Sequence, residues 1–156
     1  MEPKEEFMRK AIAIAEEAAK AGDYAIGAVI VKDNDIIAVG KNKLKSHNDP
    51  TLHAEIDVIR NACKELSQPY LQGCVLYTTH EPCPMCTSTA IWAKMKGIVF
   101  GIPYSVAIEN GNKRFSWRQI KISCKEVLEK GEPRLELVES FMMDECMKLF
   151  DLNKDQ

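Results

Sequence analysis

The chain has 156 residues, the size of one domain. A domain of that length buries roughly 68–70% of the surface its unfolded chain exposes, so neither disulfides nor a metal is needed merely to fold it. With 46% hydrophobic and 28% charged residues, the composition is that of a soluble globular protein, which excludes a disordered tail, a fibrous repeat and a membrane span. Twenty-one basic against 23 acidic side chains leave a net charge of −2, so no basic excess advertises a phosphate backbone as the main partner.

Residues 4–21 are predicted as a helix: Met8, Ile12, Ala15 and Ala19 repeat at helical spacing between Pro3 and Gly22. The start, Met1-Glu2-Pro3-Lys4-Glu5-Glu6, is acidic where a secretory signal would be basic and then apolar. Two apolar runs, Ala25–Val31 and Ile36–Val39, flank Lys32-Asp33-Asn34-Asp35 and predict an antiparallel hairpin. Asn42 follows the second run, and Asn48-Asp49-Pro50 signals a turn.

Residues 52–66 give a second helix whose apolar stripe is Val58, Ile59, Ala62, Cys63 and Leu66. Glu55 falls on that stripe, an unusual place for a carboxylate, because Glu is almost never fully buried without a partner. Cys74–Thr79 reads as a strand, Pro82 opens a helix to about Met95, and Gly97–Ile102 reads as a strand parallel to the first. A helix is expected over Ser116–Lys130, a strand over Arg134–Glu139, and a last helix through Met143, Cys146, Met147 and Phe150. With no repeat or linker, residues 1–156 make one three-layer α/β/α domain around a mixed sheet of about five strands.

Six cysteines are too few for a disulfide scaffold, and the expected compartment is reducing, the cytoplasm. There a Cys-x-x-Cys pair signals metal or redox chemistry, and the chain holds one in Pro82-Cys83-Pro84-Met85-Cys86. Pro82 suits a first helical position, placing both sulfurs in the first turns, where the positive end of the dipole favours thiolate. Alone, the pair leaves open a thioredoxin-like redox couple or a closed zinc site completed by Cys63, Cys74 or His80.

His53-Ala54-Glu55 narrows the choice. A catalytic zinc takes three protein ligands and keeps one open position, and His53, Cys83 and Cys86 supply three. Glu55 lies beside them as a carrier of protons to and from water, whose pKa such a metal lowers from ~15.7 to about 7. Since residues i and i+2 do not share a helical face, His53 must reach the metal from the very start of its helix.

The pattern His-x-Glu followed by Pro-Cys-x-x-Cys resembles the zinc-dependent cytidine/deoxycytidylate deaminase superfamily, over most of the chain. Asn48–Glu55 together with Glu81–Cys86 is similar to bacterial guanine deaminases and tRNA adenosine deaminases, while Thr51-Leu52-His53 and Leu76–Thr79 resemble fungal-type cytosine deaminases. The resemblance implies one zinc per chain on His53, Cys83 and Cys86, Glu55 as proton shuttle, Asn42 and Ala54 at the base, and a homodimer. It also implies hydrolytic loss of an exocyclic amine as ammonia.

The expected substrate is a free nucleobase or nucleoside, of guanine or cytosine type, with a tRNA anticodon loop as the alternative. A tRNA enzyme should collect basic residues near the pocket and the carboxyl end. Here the tail, Phe150–Gln156, is of mixed charge, and Lys41, Lys43, Lys45, Lys113 and Arg114 are the best basic clusters. Asp144-Glu145-Cys146 and Val99-Phe100-Gly101 resemble the tRNA enzymes. The acid that guanine deaminases carry after the fourth strand has only Glu109 as its counterpart. Tyr24, Tyr104, Phe115, Trp117 and Phe150 are the stacking candidates; Tyr104 and Phe115 are expected in a loop and Phe150 in a tail able to act as a lid. Trp92 is expected to pack, at a dimer contact if anywhere.

Overall fold

Helix α1, Glu5–Lys20, has Glu5 and Glu6 at its positive end and Lys20 at its negative end, each sign complementing the helix dipole. Its buried stripe is Phe7, Met8, Ala11, Ile14, Ala15 and Ala18, rotated slightly from the expected one, so that Ile12 and Ala19 lie at its margin. The structure, a computed structural model, describes residues 1–110 and 120–153.

Strands β1 (Gly27–Lys32) and β2 (Asp35–Lys41) form the expected hairpin. Asp33 and Asn34 both take positive φ at its turn, the geometry that matches the twist of paired strands and that short polar side chains tolerate best. The chain continues through α2 (Ala54–Leu66), β3 (Val75–His80), α3 (Pro84–Trp92) and β4 (Gly97–Ile102). Then come α4 (Tyr104–Asn110), α5 (Cys124–Glu129), β5 (Glu136–Val138), α6 (Met143–Met147) and a 3-10 turn, Lys148–Asn153.

The five strands form one sheet in the order β2-β1-β3-β4-β5. β1 is antiparallel to both neighbours, whereas β3, β4 and β5 are mutually parallel. One face packs on α2, α3 and α5 through Ala28, Ile30, Leu76, Ile98 and Phe100. The other packs on α1 and α6 through Val29, Val31, Tyr77 and Val99. This is the expected three-layer α/β fold with a mixed five-stranded sheet.

Because β1 runs against both β2 and β3, those two strands point the same way, and β4 joins them. The chain therefore leaves β2 at Asn42, β3 at Glu81 and β4 at Pro103 along one edge of the sheet, the edge where open α/β folds assemble their sites.

Three local expectations are corrected. The segment after β4, expected as a loop around Tyr104, is helical over Tyr104–Asn110. The helix expected over Ser116–Lys130 begins at Cys124 in the described residues, and Ile120 and Ile122 stand exposed before it. In α3, Cys83 is the N-cap and Pro84 the first helical residue, so the helix begins two positions after the start expected at Pro82. Pro84 meets the same rule, since its missing N–H would have had no intrahelical acceptor.

Candidate active site

Two helix starts face each other. His53 is the N-cap of α2 and Cys83 the N-cap of α3, both in extended backbone conformation, with ψ of 159° and 171°. The His53 carbonyl accepts the Asp57 N–H at 3.0 Å and the Cys83 carbonyl accepts the Thr87 N–H at 2.9 Å, so each residue closes the first turn of its helix. His53 thus projects from the start of its helix, as the i, i+2 spacing of His53 and Glu55 required.

His53 Nδ1 lies 3.6 Å from Cys83 Sγ and 3.5 Å from Cys86 Sγ, and the two sulfurs are 3.6 Å apart. A disulfide bond would hold the sulfurs at about 2.05 Å, and all six cysteines are free thiols. Zinc with tetrahedral angles, about 2.3 Å from sulfur and about 2.0 Å from nitrogen, demands edges of about 3.8 Å between sulfurs and about 3.5 Å between sulfur and nitrogen. The triangle matches, so these residues fit the ion. Among the described residues, these three are the one His/Cys/Asp/Glu group whose ligand atoms converge in this way; Cys63, Cys74 and His80 do not join it.

The electrostatics suit a cation. The hydrogen bond between the two sulfurs is the largest influence on Cys83 and, helped by His53 against the opposing effect of burial, brings its thiol down to about 4. Cys86 moves the other way: burial, the Cys83 hydrogen bond and the negative charges of Glu55 and Cys83 all raise it. Burial acts to lower His53, but its bond to Cys83 and the charges of Glu55 and Cys83 outweigh that and raise it. Two sulfurs this close share one proton, and a divalent ion would stabilise both as thiolates.

Glu55 is only 4% exposed, as its place on the apolar stripe suggested. Thr78 on β3 donates to its Oε1 at 2.6 Å, the partner that a buried carboxylate requires. Sequence reasoning missed Thr78; its signal was a hydroxyl in an apolar strand, at a position facing α2.

Asn42 is buried, its Oδ1 accepting the Leu44 N–H at 3.1 Å while its own N–H donates to the Ile26 carbonyl. The next residue, Lys43, donates its N–H to the Leu52 carbonyl at 3.0 Å, tying this loop to the residue that precedes His53. Ala54, the first residue of α2, is fully buried against Ala28, Ile30 and Val58, and helix geometry leaves its N–H without an intrahelical acceptor.

Glu81, also missed as a functional contact, accepts the Tyr104 N–H at 3.0 Å and the Cys124 N–H at 2.9 Å. It thereby ties the starts of α4 and α5 to the loop that carries Cys83. Tyr104 is half-buried at the head of α4. Phe150 is half-buried in the cluster on the α1 face, its ring edge-on to His80 at 5.6 Å. Tyr24 has the Lys45 ammonium over its ring at 4.3 Å. Phe115, Trp117, Lys113 and Arg114 lie outside the described residues.

Two helix starts that converge on a His/Cys/Cys triangle beside a buried, tethered carboxylate make a candidate metal centre within a hydrolase fold. More particularly, the chain belongs to the family described as the cytidine and deoxycytidylate deaminase zinc-binding region, whose model matches residues 1–102. It is similar to guanine deaminase of Bacillus subtilis (strain 168), 42% identical over 124 residues that make up 78% of this chain and 80% of that one. It is also similar to tRNA-specific adenosine deaminase of Agrobacterium fabrum (strain C58), 41% identical over 112 residues, 70% of this chain and 74% of the relative. Among solved structures, one from a study of A-to-I editing by tRNA:A34 deaminases superposes with a TM-score of 0.78 at 29% identity, covering 94% of this chain and 99% of the other.

Proposed function

We propose that residues 1–156 act as one zinc-dependent hydrolytic deaminase that removes the exocyclic amine of a free nucleobase or nucleoside and releases ammonia. The observation that carries this reading is the His53/Cys83/Cys86 triangle, with edges of 3.5–3.6 Å, beside the buried Glu55. His53, Cys83 and Cys86 would hold the ion. Zinc bound there supplies a Lewis acid that makes a water ionisable near neutral pH.

Glu55 takes the proton that the attacking water gives up, delivers it to the ring nitrogen beside the reacting carbon, and assists departure of the amine. Thr78 occupies Oε1 and fixes the rotation of the carboxylate, so the proton is moved by a group already in position. Asn42 hydrogen-bonds the base, Ala54 offers its backbone N–H at the same wall, and Tyr104 and Phe150 are assigned to the outer pocket. The protein works as a homodimer in a reducing cytoplasm. The free thiols suit that compartment, and Trp92, 81% exposed on α3, offers a contact for a second copy. Among the described residues no helix is long and apolar enough to cross a membrane.

The free-base reading draws support from the lysines near Asn42. Lys43 is paired with Asp57 at 3.0 Å and Lys45 lies over Tyr24, so two of the three are engaged within the protein. The tRNA reading stands second, favoured by the superposition on the tRNA-editing structure over nearly its whole length. An ammonia-release screen across guanine, cytosine, adenine, their nucleosides and an anticodon stem-loop decides the order: activity confined to the stem-loop reverses it. A Glu55→Ala protein should keep its zinc and lose ammonia release; unchanged turnover removes Glu55 from the mechanism.

A further inference from the structure

The carboxylate of Asp57 does more than a surface helix acid would. It is buried in the first turns of α2, two residues after Glu55 and four after His53. Its Oδ2 accepts the Lys41 N–H at 3.1 Å, and its Oδ1 holds the Lys43 ammonium at 3.0 Å. Those are the residues on either side of Asn42. One turn further along α2, Asn61 donates its side-chain amide to the Val39 carbonyl at 2.9 Å. Val39 and Lys41 point their backbone polar groups the same way, away from β1, because backbone direction alternates along a strand. β2 is the last strand of the sheet on this side, so Asp57 and Asn61, four apart on one helix face, occupy its otherwise open edge.

Between these two anchors Gly40 meets Val58 so closely that a Cβ would lie 2.4 Å from the Val58 nitrogen. Helix α2 is therefore keyed to β2 in one register. The helix carries His53 and Glu55; the strand exit carries Asn42.

We propose that Asp57, with Lys43 as its cation, is a positioning residue that sets where Asn42 meets the base relative to the centre on α2. The proposal rests on the deaminase reading. It assigns Asp57 to substrate grip and not to proton transfer, since Glu55 and the three metal-binding residues keep their own supports without it. Removing the carboxylate releases the Lys41 N–H and the Lys43 ammonium on either side of Asn42, leaving the Asn42 and Lys43 backbone bonds to Ile26 and Leu52 and the Thr78–Glu55 bond in place.

The test is a kinetic cycle on whichever compound of the ammonia-release screen the wild-type protein turns over. Asp57→Ala should raise KM about tenfold with kcat within about threefold, the split expected when a ground-state contact is lost. Asp57→Asn, which retains an acceptor for the Lys41 N–H, should recover part of that loss. In an Asn42→Ala background, Asp57→Ala should change KM by less than about twofold, because its effect passes through Asn42. Additive effects in the double variant, or kcat and bound zinc falling together with KM, overturn the proposal. Lys43→Met, if Asp57→Ala fails to fold, should move KM in the same direction.

A second measurement needs no substrate. Amide exchange at Leu44, whose N–H is held by Asn42 Oδ1, should quicken about tenfold in Asp57→Ala while Ala62 in α2 stays protected. Unchanged exchange at Leu44 overturns the clamp whatever the kinetics. If wild-type protein releases no ammonia from any compound, the deaminase reading fails, and this exchange result still decides the clamp.

Discussion

Gly40→Ala tests whether the geometry of the active site depends on how closely α2 lies on β2. The new methyl would meet Val58 at 2.4 Å from its nitrogen and 2.7 Å from both Cα and Cβ. Unstrained contacts begin near 3.5 Å, so helix and strand must separate by about 1 Å. The obstacle is backbone and a branched side chain, which no rotamer change removes. Overpacking of this kind costs about 1–3 kcal/mol. At 2–4 °C per kcal/mol for a domain of this length, the melting temperature should fall by roughly 2–12 °C. The same separation carries Glu55, three residues from Val58, and His53 away from Asn42. A misplacement of about 1 Å at a reacting centre costs on the order of 100-fold in rate. The assays are thermal melting, bound zinc and kcat/KM for ammonia release. Gly22→Ala is the control. Gly22 has a φ of +88° but nothing within 4 Å of its Cβ position, so it should lose about 1–2 kcal/mol of stability and no activity. A Gly40→Ala protein that melts and turns over like wild type, or a Gly22→Ala protein that loses activity equally, would refute the argument.

Thr78→Val replaces the hydroxyl that holds Glu55 with a methyl of the same shape, and loss of a charge-assisted hydrogen bond worth about 1.5–3 kcal/mol should lower kcat tenfold to a hundredfold with zinc retained. Unaltered kcat would mean that Thr78 does not orient the carboxylate. Burial of His80 brings its pKa from 6.5 down to about 3, so above pH 6.5 it is neutral both folded and unfolded and contributes no pH dependence. Between pH 6.5 and 3 only the unfolded chain takes up the proton, and stability should fall by about 1.4 kcal/mol per pH unit, about 2 kcal/mol by pH 5. Urea unfolding at pH 7 and pH 5 should therefore show His80→Asn losing about 2 kcal/mol less than wild type; equal losses would place the acid sensitivity elsewhere.

The parts of the fold that were legible in the sequence are those in which local signals agree. The hairpin turn at Asp33-Asn34 and the long helices carry periodicity and terminators together. The His53/Cys83/Cys86 group was legible because its residues sit at two helix starts, where a short motif specifies direction. Helix α4 was missed because it is brief and buries little: over residues 104–109 only Ala107 is buried, and Ile108 and Glu109 face outward. The start of α5 was misplaced because Ile120, four residues before Cys124, extends the helical spacing of Cys124, Val127 and Leu128, although Ser123-Cys124-Lys125-Glu126 is a capping signature. Ser123 Oγ indeed accepts the Glu126 N–H at 3.1 Å. Thr78, Asp57 and Glu81 could not be found from spacing, since each acts on a segment distant in sequence and only the sheet order makes them neighbours.

The division of labour around the sheet edge follows from the same distinction. On the proposed reading, the chemistry sits on two helix starts, and the first-turn geometry that directs His53, Glu55, Cys83 and Cys86 is local. Their positive dipole ends lie beside the two sulfurs and a carboxylate, which favours negative charge where a cation would bind. On the proposed reading, substrate choice depends on the strand exits: Asn42 after β2, tied by Asp57, and the α4 start after β4, tied by Glu81. A side-chain carboxylate from a distant element anchors each exit, Asp57 on one and Glu81 on the other. Changes at Asp57 and Glu81, or in the segments they anchor, can therefore alter which amine-bearing ring is accepted without disturbing the group that removes the amine. A family whose relatives here include both guanine and tRNA adenosine deaminases is the outcome that such an arrangement permits.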